Sequence, residues 1–284
     1  MDIIKKISEE IGCRTSQTEA AVKLIDEGNT IPFIARYRKE ATGALNDEQL
    51  RALHERLTYL RNLEDKKAQV IASIEEQGKL TDELKAQILS AETMVLLEDL
   101  YRPYKPKRRT RATIAKEKGL EPLAGVITLQ MIKTPLIEEA AKYVDSEKGV
   151  ATAEEAIAGA SDIIAESISD EADYRTHIRD LTVKKGRMTS TAKDPEAESV
   201  YEMYYDFDEP VAKLAGHRIL AVNRGEKEKF LTVKIEAPQE DILRYLEKKV
   251  IARDNPQTNE VLRDVVKDAY DRLIAPAIER EIRS

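Results

Sequence analysis

The 284-residue chain has no tryptophan, one cysteine, three histidines and three phenylalanines, and aromatic residues make up only 5% of it. A single cysteine, Cys13, cannot close an internal disulfide, so a reducing, cytoplasmic setting is expected. No apolar run approaches the roughly 18 residues that a membrane-spanning helix needs. The first ten residues, Met1-Asp-Ile-Ile-Lys-Lys-Ile-Ser-Glu-Glu, lack an apolar signal core and read instead as a short amphipathic helix. Neither common Gly-rich phosphate loop is present, nor a Ser-centred nucleophile elbow. His54, His177 and His217 lie far apart without metal-type partners at ligand spacing, and are read as structural or surface residues. Cys13 follows an apolar helical stripe with no basic neighbourhood to lower its pKa, and is read as core filler. These absences predict a non-enzyme with no catalytic residue, no metal site and no cofactor.

What the chain does have is charge and aliphatic bulk. Apolar residues are 42% and charged residues 35%, with 53 acids against 46 bases and a net charge of -7. That balance reads as a soluble, helix-rich protein, long enough for a real core and for about two compact units. An acidic surface argues against indiscriminate polyanion binding. A local basic patch still acts over roughly 10 Å in salt.

The first half reads as helix after helix. Ser16-Gln17-Thr18-Glu19 matches a capping box, with Ala20, Ala21, Leu24 and Ile25 following and Gly28 closing the helix. A short helix is expected from Pro32 through Tyr37, then a loop over 39–44. Asn46 should cap a long helix reaching about Gln77. In it Leu50, Leu53, Leu57 and Leu60 fall at coiled-coil spacing, but Glu64 and Lys67 break the seam, so a bundle helix is expected. Thr81 and Thr93 cap two more, the first with Leu84, Ile88 and Leu89 inward. Residues 101–111 carry two prolines and read as an ordered loop. Helices follow over 112–118, 121–131, 135–144, from Thr152, and over 171–185.

At Gly186 the texture changes. Met188 to Ala192 and Phe230 to Glu236 alternate as strands do, around a cluster of Tyr201, Tyr204, Tyr205 and Phe207. His217 to Glu226 reads as a helix closed at Gly225, with Arg218 and Glu226 anchoring its ends. Two more are expected, over 239–251 and 258–275. These three helices could form a helix-turn-helix unit. Their mixed charges (Arg244, Lys248, Lys249 and Arg253 against Glu240, Asp241, Glu247, Glu260, Asp264 and Asp268) favour packing or protein contact over groove reading. The predicted fold is mainly α, a multi-helix bundle with a small β element near 183–236 and helix-turn-helix character, divided into a helical region 1–185 and a second region 186–284.

Charge segregation is the clearest functional signal. Residues 101–118 hold eight bases (Arg102, Lys105, Lys107, Arg108, Arg109, Arg111, Lys116 and Lys118) against Glu117, and the next 57 residues, 119–175, hold four bases against twelve acids. Tyr101 and Tyr104 interleave the basic tract. Cations that track a phosphate backbone, with rings that stack on bases, are what single-stranded nucleic acid requires. A smaller cluster is Arg36, Arg38 and Lys39 around Tyr37. The competing reading is internal: arginine forks pair with carboxylates, and the acidic helices downstream could neutralise the tract. Both readings stay open at this level.

Four blocks carry a family resemblance. Thr30-Ile-Pro-Phe-Ile-Ala-Arg-Tyr-Arg-Lys-Glu-Ala-Thr-Gly43 is the first. Asp99-Leu-Tyr-Arg-Pro-Tyr-Lys-Pro-Lys-Arg-Arg-Thr-Arg111, with Gly119-Leu-Glu-Pro-Leu123, is the second. His217-Arg-Ile-Leu-Ala-Val-Asn-Arg-Gly-Glu226 and Ala269-Tyr-Asp-Arg-Leu-Ile-Ala-Pro-Ala-Ile-Glu-Arg-Glu-Ile-Arg283 complete the set. In this order they resemble the Tex family of bacterial transcription accessory proteins. The resemblance implies a cytoplasmic protein of transcription or RNA metabolism, with a helical N-terminal region of helix-turn-helix character. It also implies that a YqgF-like domain of RNase H-type fold, helix-hairpin-helix elements and an OB-fold RNA-binding domain belong beyond Ser284, so that this chain is a piece or shortened product of a longer protein.

The expectation is therefore a non-catalytic, nucleic-acid-associated scaffold, with weak, salt-sensitive RNA or DNA contacts through Arg36, Arg38, Lys39, Tyr101, Tyr104, Lys105, Lys107, Arg108, Arg109 and Arg111. The alternative is a protein-interaction module docking on RNA polymerase, a ribosome-associated factor or the family's C-terminal domains.

Overall fold

The structure, a computed structural model, describes residues 1–284. The chain divides into two compact units, Met1–Tyr104 and Lys105–Ser284.

The first unit is all helix: α1 (Ile3–Ile11), α2 (Thr15–Asp26), α3 (Ile31–Tyr37), α4 (Lys39–Thr42), α5 (Asp47–Glu76), α6 (Asp82–Ser90) and α7 (Met94–Tyr101). The long α5 is its spine. Asn46 Oδ1 accepts from Gln49 N at 2.8 Å while Gln49 Oε1 accepts from Asn46 N at 3.0 Å, a reciprocal cap that satisfies two end groups at once. Leu50, Leu53, Leu57, Leu60, Leu63, Val70 and Ile74 then line one buried face, on which Ile7 of α1, Ala21 of α2, Ile34 of α3 and Leu97 of α7 close. The seam-breaking Lys67 is itself buried there. Its Nζ donates to Glu64 Oε1 at 3.0 Å and to the Leu89 carbonyl, near the end of α6, at 2.7 Å.

Three local expectations change in this unit. α2 begins at Thr15 behind Arg14, not at a Ser16 cap, because Gln17 Oε1 reaches back to accept from Arg14 N at 3.0 Å. The expected loop over 39–44 is a one-turn helix, α4, ended by Gly43 at φ 62°. Leu89, expected inward, is 48% exposed, because Leu84 and Ile88, four residues apart, carry the buried face and the next position turns off it.

The second unit opens with α8 (Arg111–Glu117), α9 (Glu121–Leu129), α10 (Leu136–Ala141), α11 (Ala153–Asp170) and α12 (Ala172–Lys185). It continues through β1 (Arg187–Ala192), β2 (Asp206–Pro210), α13 (Gly216–Lys227), β3 (Leu231–Glu236), α14 (Gln239–Val250), α15 (Asn259–Asp268) and α16 (Ala275–Arg283). The apolar face of α11 (Ala156, Ala160, Ile163, Ile164 and Ile168) is the centre of a core shared with α8, α9, α14 and α15. The fold is thus mainly α with a three-stranded antiparallel sheet of order β2-β1-β3.

The change of texture at 186 marks the start of β1, inside this unit, whose main core runs from Ala112 to Ile278. β2 lacks a strand-like sequence. It pairs only with β1, Ser190 opposite Phe207 and Arg187 opposite Pro210, and a proline is tolerated at the end of such an edge strand. Tyr201, Tyr204 and Phe207 pack with Met188, Val222, Leu231 and Val233 in a small core of their own. Gly225 does not close α13, as expected, but lies buried within it: a Cβ there would fall 2.5 Å from Leu231 Cδ1, so the missing side chain is what lets the helix sit on β3.

The three helices that could form a helix-turn-helix unit divide between two cores. Val222 of α13 belongs to the sheet's cluster, whereas Ile242 and Leu246 of α14 and Leu262 of α15 belong to the main one. The last helix runs on past 275 to Arg283. A widened π turn over Ala269–Ile274 joins α15 to α16 just ahead of Pro276, whose ring lacks an N–H and crowds the carbonyl one turn back.

Candidate nucleic-acid interface

The basic tract is held at both ends. In the first unit Tyr101 Oη lies 3.0 Å from Ser73 Oγ on α5, and Gln77 Nε2 donates to the Tyr104 carbonyl at 2.8 Å. Both rings are half-buried against that unit's core. The tyrosines expected to stack on bases are therefore pinned to α5, and the polar edge of Tyr101 is already engaged.

In the second unit Thr110 caps α8, its Oγ1 accepting from Thr113 N at 3.1 Å. Lys107 ion-pairs with Asp170 and lies 3.7 Å from Glu166, both on α11. Arg109 Nη2 donates to Glu117 Oε2 at 3.0 Å, yet its side chain stays 69% exposed. Arg108 is exposed and no carboxylate reaches it. Arg111 is exposed at the start of α8, and its charge and that of Arg272 pull on Asp162, although burial is the larger effect and holds that carboxyl above the usual carboxylate range. Lys105 is exposed and partnered. The tract thus serves both readings: Lys107 is spent on α11, while Arg108 and the outer face of Arg109 are offered to solvent.

The second cation cluster belongs to the first unit. Arg36, Arg38 and Lys39 are all exposed at the corner between α3 and α4. Arg38 Nη1 donates to the Tyr37 carbonyl at 3.0 Å, and its guanidinium carbon stands 4.9 Å from the Phe33 ring centroid. Phe33 and Tyr37, four residues apart on one helix, place their ring centroids 5.3 Å apart. Phe33 escapes a search for charge clusters; the signal was its i, i+4 spacing to Tyr37.

Of the histidines and the cysteine, His177 and Cys13 have packing partners, while His54 and His217 are exposed. His177 stacks on Tyr245 with centroids 3.8 Å apart, and Cys13 Sγ lies 3.2 Å from Thr18 Oγ1. No group of three or more His, Cys, Asp or Glu side chains is placed to hold a metal ion. No helix is long and apolar enough to cross a membrane. Sequence reading gave no hint of a groove of about 580 Å³ in the second unit, walled by Ala124, Ile163, Ile168 and Leu262 and rimmed by Tyr174 and Lys249. Its walls come from helices far apart in the chain.

Residues 1–75 match the Tex-like protein N-terminal domain, and residues 133–284, over half of the chain, match the Tex central region. The chain belongs to the Tex family. It is 49% identical over 282 residues to the uncharacterized protein YdcI of Bacillus subtilis, covering 98% of this chain and 39% of that one. Identity to the transcriptional accessory protein Tex of Neisseria gonorrhoeae is 45% over 244 residues, 85% of this chain and 32% of the relative. The human S1 RNA-binding domain-containing protein 1 is 28% identical across the whole of this chain, which covers 30% of it. The chain therefore spans 30–39% of the length of these relatives.

Two of the blocks that resembled the Tex family meet in space. Asn223 of α13 donates through Nδ2 to the Arg283 carbonyl at 2.6 Å and accepts from Arg283 Nε at 3.0 Å. Glu226 ion-pairs with Arg283 and accepts from Val233 N of β3 at 3.2 Å. At the other end of α13, Arg218 ion-pairs with Glu209 of β2. Arg218 and Glu226 anchor the two ends of this Tex-family helix, as their positions in the sequence implied.

Proposed function

We propose that the chain is the non-catalytic N-terminal part of a Tex-type transcription accessory protein, a nucleic-acid-associated scaffold in the cytoplasm. The observation that carries this reading is the solvent-exposed Arg108–Arg109 pair on a tract whose backbone is tethered by Lys107 to α11 and by Thr110 to α8. A tethered strand that presents guanidinium groups can neutralise phosphates without reading bases, so binding is weak, sequence-tolerant and salt-dependent. The names of two relatives, a transcriptional accessory protein and an S1 RNA-binding domain-containing protein, support a role in transcription or RNA metabolism. Lys105 and Arg111 flank the pair, and Arg36, Arg38 and Lys39 add a cationic patch on the other unit.

Fluorescence anisotropy of labelled single-stranded RNA and duplex DNA over a salt series tests this. The wild-type chain should bind at low salt, with log K falling by roughly 0.7 per decade of salt for each single-strand phosphate contacted. Arg108→Glu with Arg109→Glu should weaken binding and flatten that slope, with the helical circular dichroism unchanged. A second reading, docking of RNA polymerase, a ribosome-associated factor or further domains of the same protein, is favoured by the apolar groove of the second unit. Absence of binding even at low salt moves the weight to it.

A further inference from the structure

Of the 11 tyrosines and 3 phenylalanines, Tyr37 alone is exposed; every other aromatic ring is buried or half-buried. It is 60% exposed, and its hydroxyl has no partner in the protein. The rest of its motif has structural duties. Thr30 Oγ1 caps α3 by accepting from Phe33 N at 3.3 Å, and Ile34 is fully buried. Thr42 is also fully buried, and the carbonyls of Thr42 and Gly43 accept from Gln17 Nε2 at 3.1 and 3.2 Å. Residues 36–39 are left over, and they combine one open ring with three cations. No carboxylate pairs with Arg36, Arg38 or Lys39, and Glu40 is the one acid between Thr30 and Gly43. Arg38 donates to the Tyr37 carbonyl and rests over the Phe33 face, which keeps its guanidinium at this corner.

We infer that the α3–α4 corner of the first unit is a stacking site for the unpaired bases of a single-stranded nucleic acid. Tyr37 is the platform, and Arg36, Arg38 and Lys39 contact the flanking phosphates. Every base has a π face, so such a platform is sequence-tolerant, whereas a duplex hides its faces inside the stack. The inference rests on the nucleic-acid reading above but places a base contact in the first unit, apart from the 105–111 tract.

The absence of tryptophan makes the test direct, because Tyr37→Trp creates the only tryptophan in the chain. Its emission and the anisotropy of a labelled oligonucleotide are followed together at low salt, with short oligouridylate, the matching single-stranded DNA and an RNA duplex. Both single strands should quench the tryptophan and the duplex should not. Tyr37→Ala should weaken single-strand affinity roughly five- to 150-fold, Tyr37→Phe should restore it, and Arg36→Glu with Lys39→Glu should reduce the salt dependence. A rise in anisotropy with unchanged tryptophan emission, and with Tyr37→Ala binding as wild type does, would sink the stacking site and leave the nucleic-acid reading standing. No anisotropy change with any oligonucleotide overturns both, and makes the exposed Tyr–Arg corner a surface for a protein partner instead.

Discussion

Lys67 sits at a core position of α5 with its four-carbon stem among leucines, and its ammonium nitrogen reaches a carboxylate and a helix-end carbonyl. Lys67→Met keeps the packing but removes the donor that Glu64 and the Leu89 carbonyl share. A hydrogen bond to a charged group contributes about 1.5–3 kcal/mol, so the variant should lose that much in urea unfolding. Lys67→Ala should lose more, because a cavity is added. Tyr270 is a different residue-scale case. Burial pushes its phenol up to about 12. A folded-state value above the unfolded one, which is about 10, gives stability that is fully present below pH 10 and is lost as pH rises through 12. Tyr270→Phe should therefore flatten the alkaline decline of the melting temperature over that window; an unchanged decline would show that other groups set it. These two residues mark the limit of periodicity arguments. Lys67 reads as a break in a seam because the partner that makes its burial tolerable, Leu89, lies twenty-two residues away.

At the scale of elements, the legible parts are those whose signals are local. Asn46, Thr81, Thr93 and Thr152 are caps by the chemistry of their own side chains and the first turn that follows, and each does cap a helix. The illegible parts are those decided by a neighbour. β2 has the composition of a turn and becomes a strand because β1 offers it an edge. Gly225 looks like a helix end and is an approach point. Two effects oppose each other at this position. An alanine gains up to about 1 kcal/mol of helix propensity over glycine. The Cβ it adds would meet Leu231 Cδ1 at 2.5 Å and Tyr201 Cδ1 at 3.1 Å, and overpacking of that kind costs about 1–3 kcal/mol. Gly225→Ala should on balance lower the melting temperature. A rise would mean that β3 moves aside at no cost. The Asn223–Glu226–Arg283 clasp is a further case: the sequence marks Glu226 as a helix-end anchor but not its partners, and only the packing of α13 beside α16 makes the three one network.

At the scale of the whole molecule, a net charge of -7 coexists with a cationic tract at the start of the second unit, and each unit encloses its own core. The tract is exposed from Lys105 to Arg109 and outside regular secondary structure, which is where proteases act first. Brief trypsin treatment should cut after Arg108 or Arg109 before any site within α5 or α11, and mass spectrometry of the first fragments checks this. Nucleic acid bound to the tract should slow that cut in proportion to occupancy. An unprotected tract in the presence of a bound oligonucleotide would place the contact elsewhere, with the α3–α4 corner as the next site to test. The candidate interface was half legible. Its cations were visible as a charge cluster, but which of them are free was not, because Glu117, Glu166 and Asp170 become partners only once α8 and α11 are in place.

By itself the sequence determined the mainly helical class, the caps at Asn46, Thr81, Thr93 and Thr152, the site of the β element and the family, since all four rest on side-chain chemistry and order along the chain. Tertiary structure decided the division at Tyr104, the pairing of β2, the burial of Lys67 and the sorting of cations into tethers and open contacts. It also decided that Tyr101 and Tyr104 face a core while Tyr37 faces water. The physical reason is the same throughout: exposure and pairing are properties of what packs alongside, and residues far apart in sequence supply it.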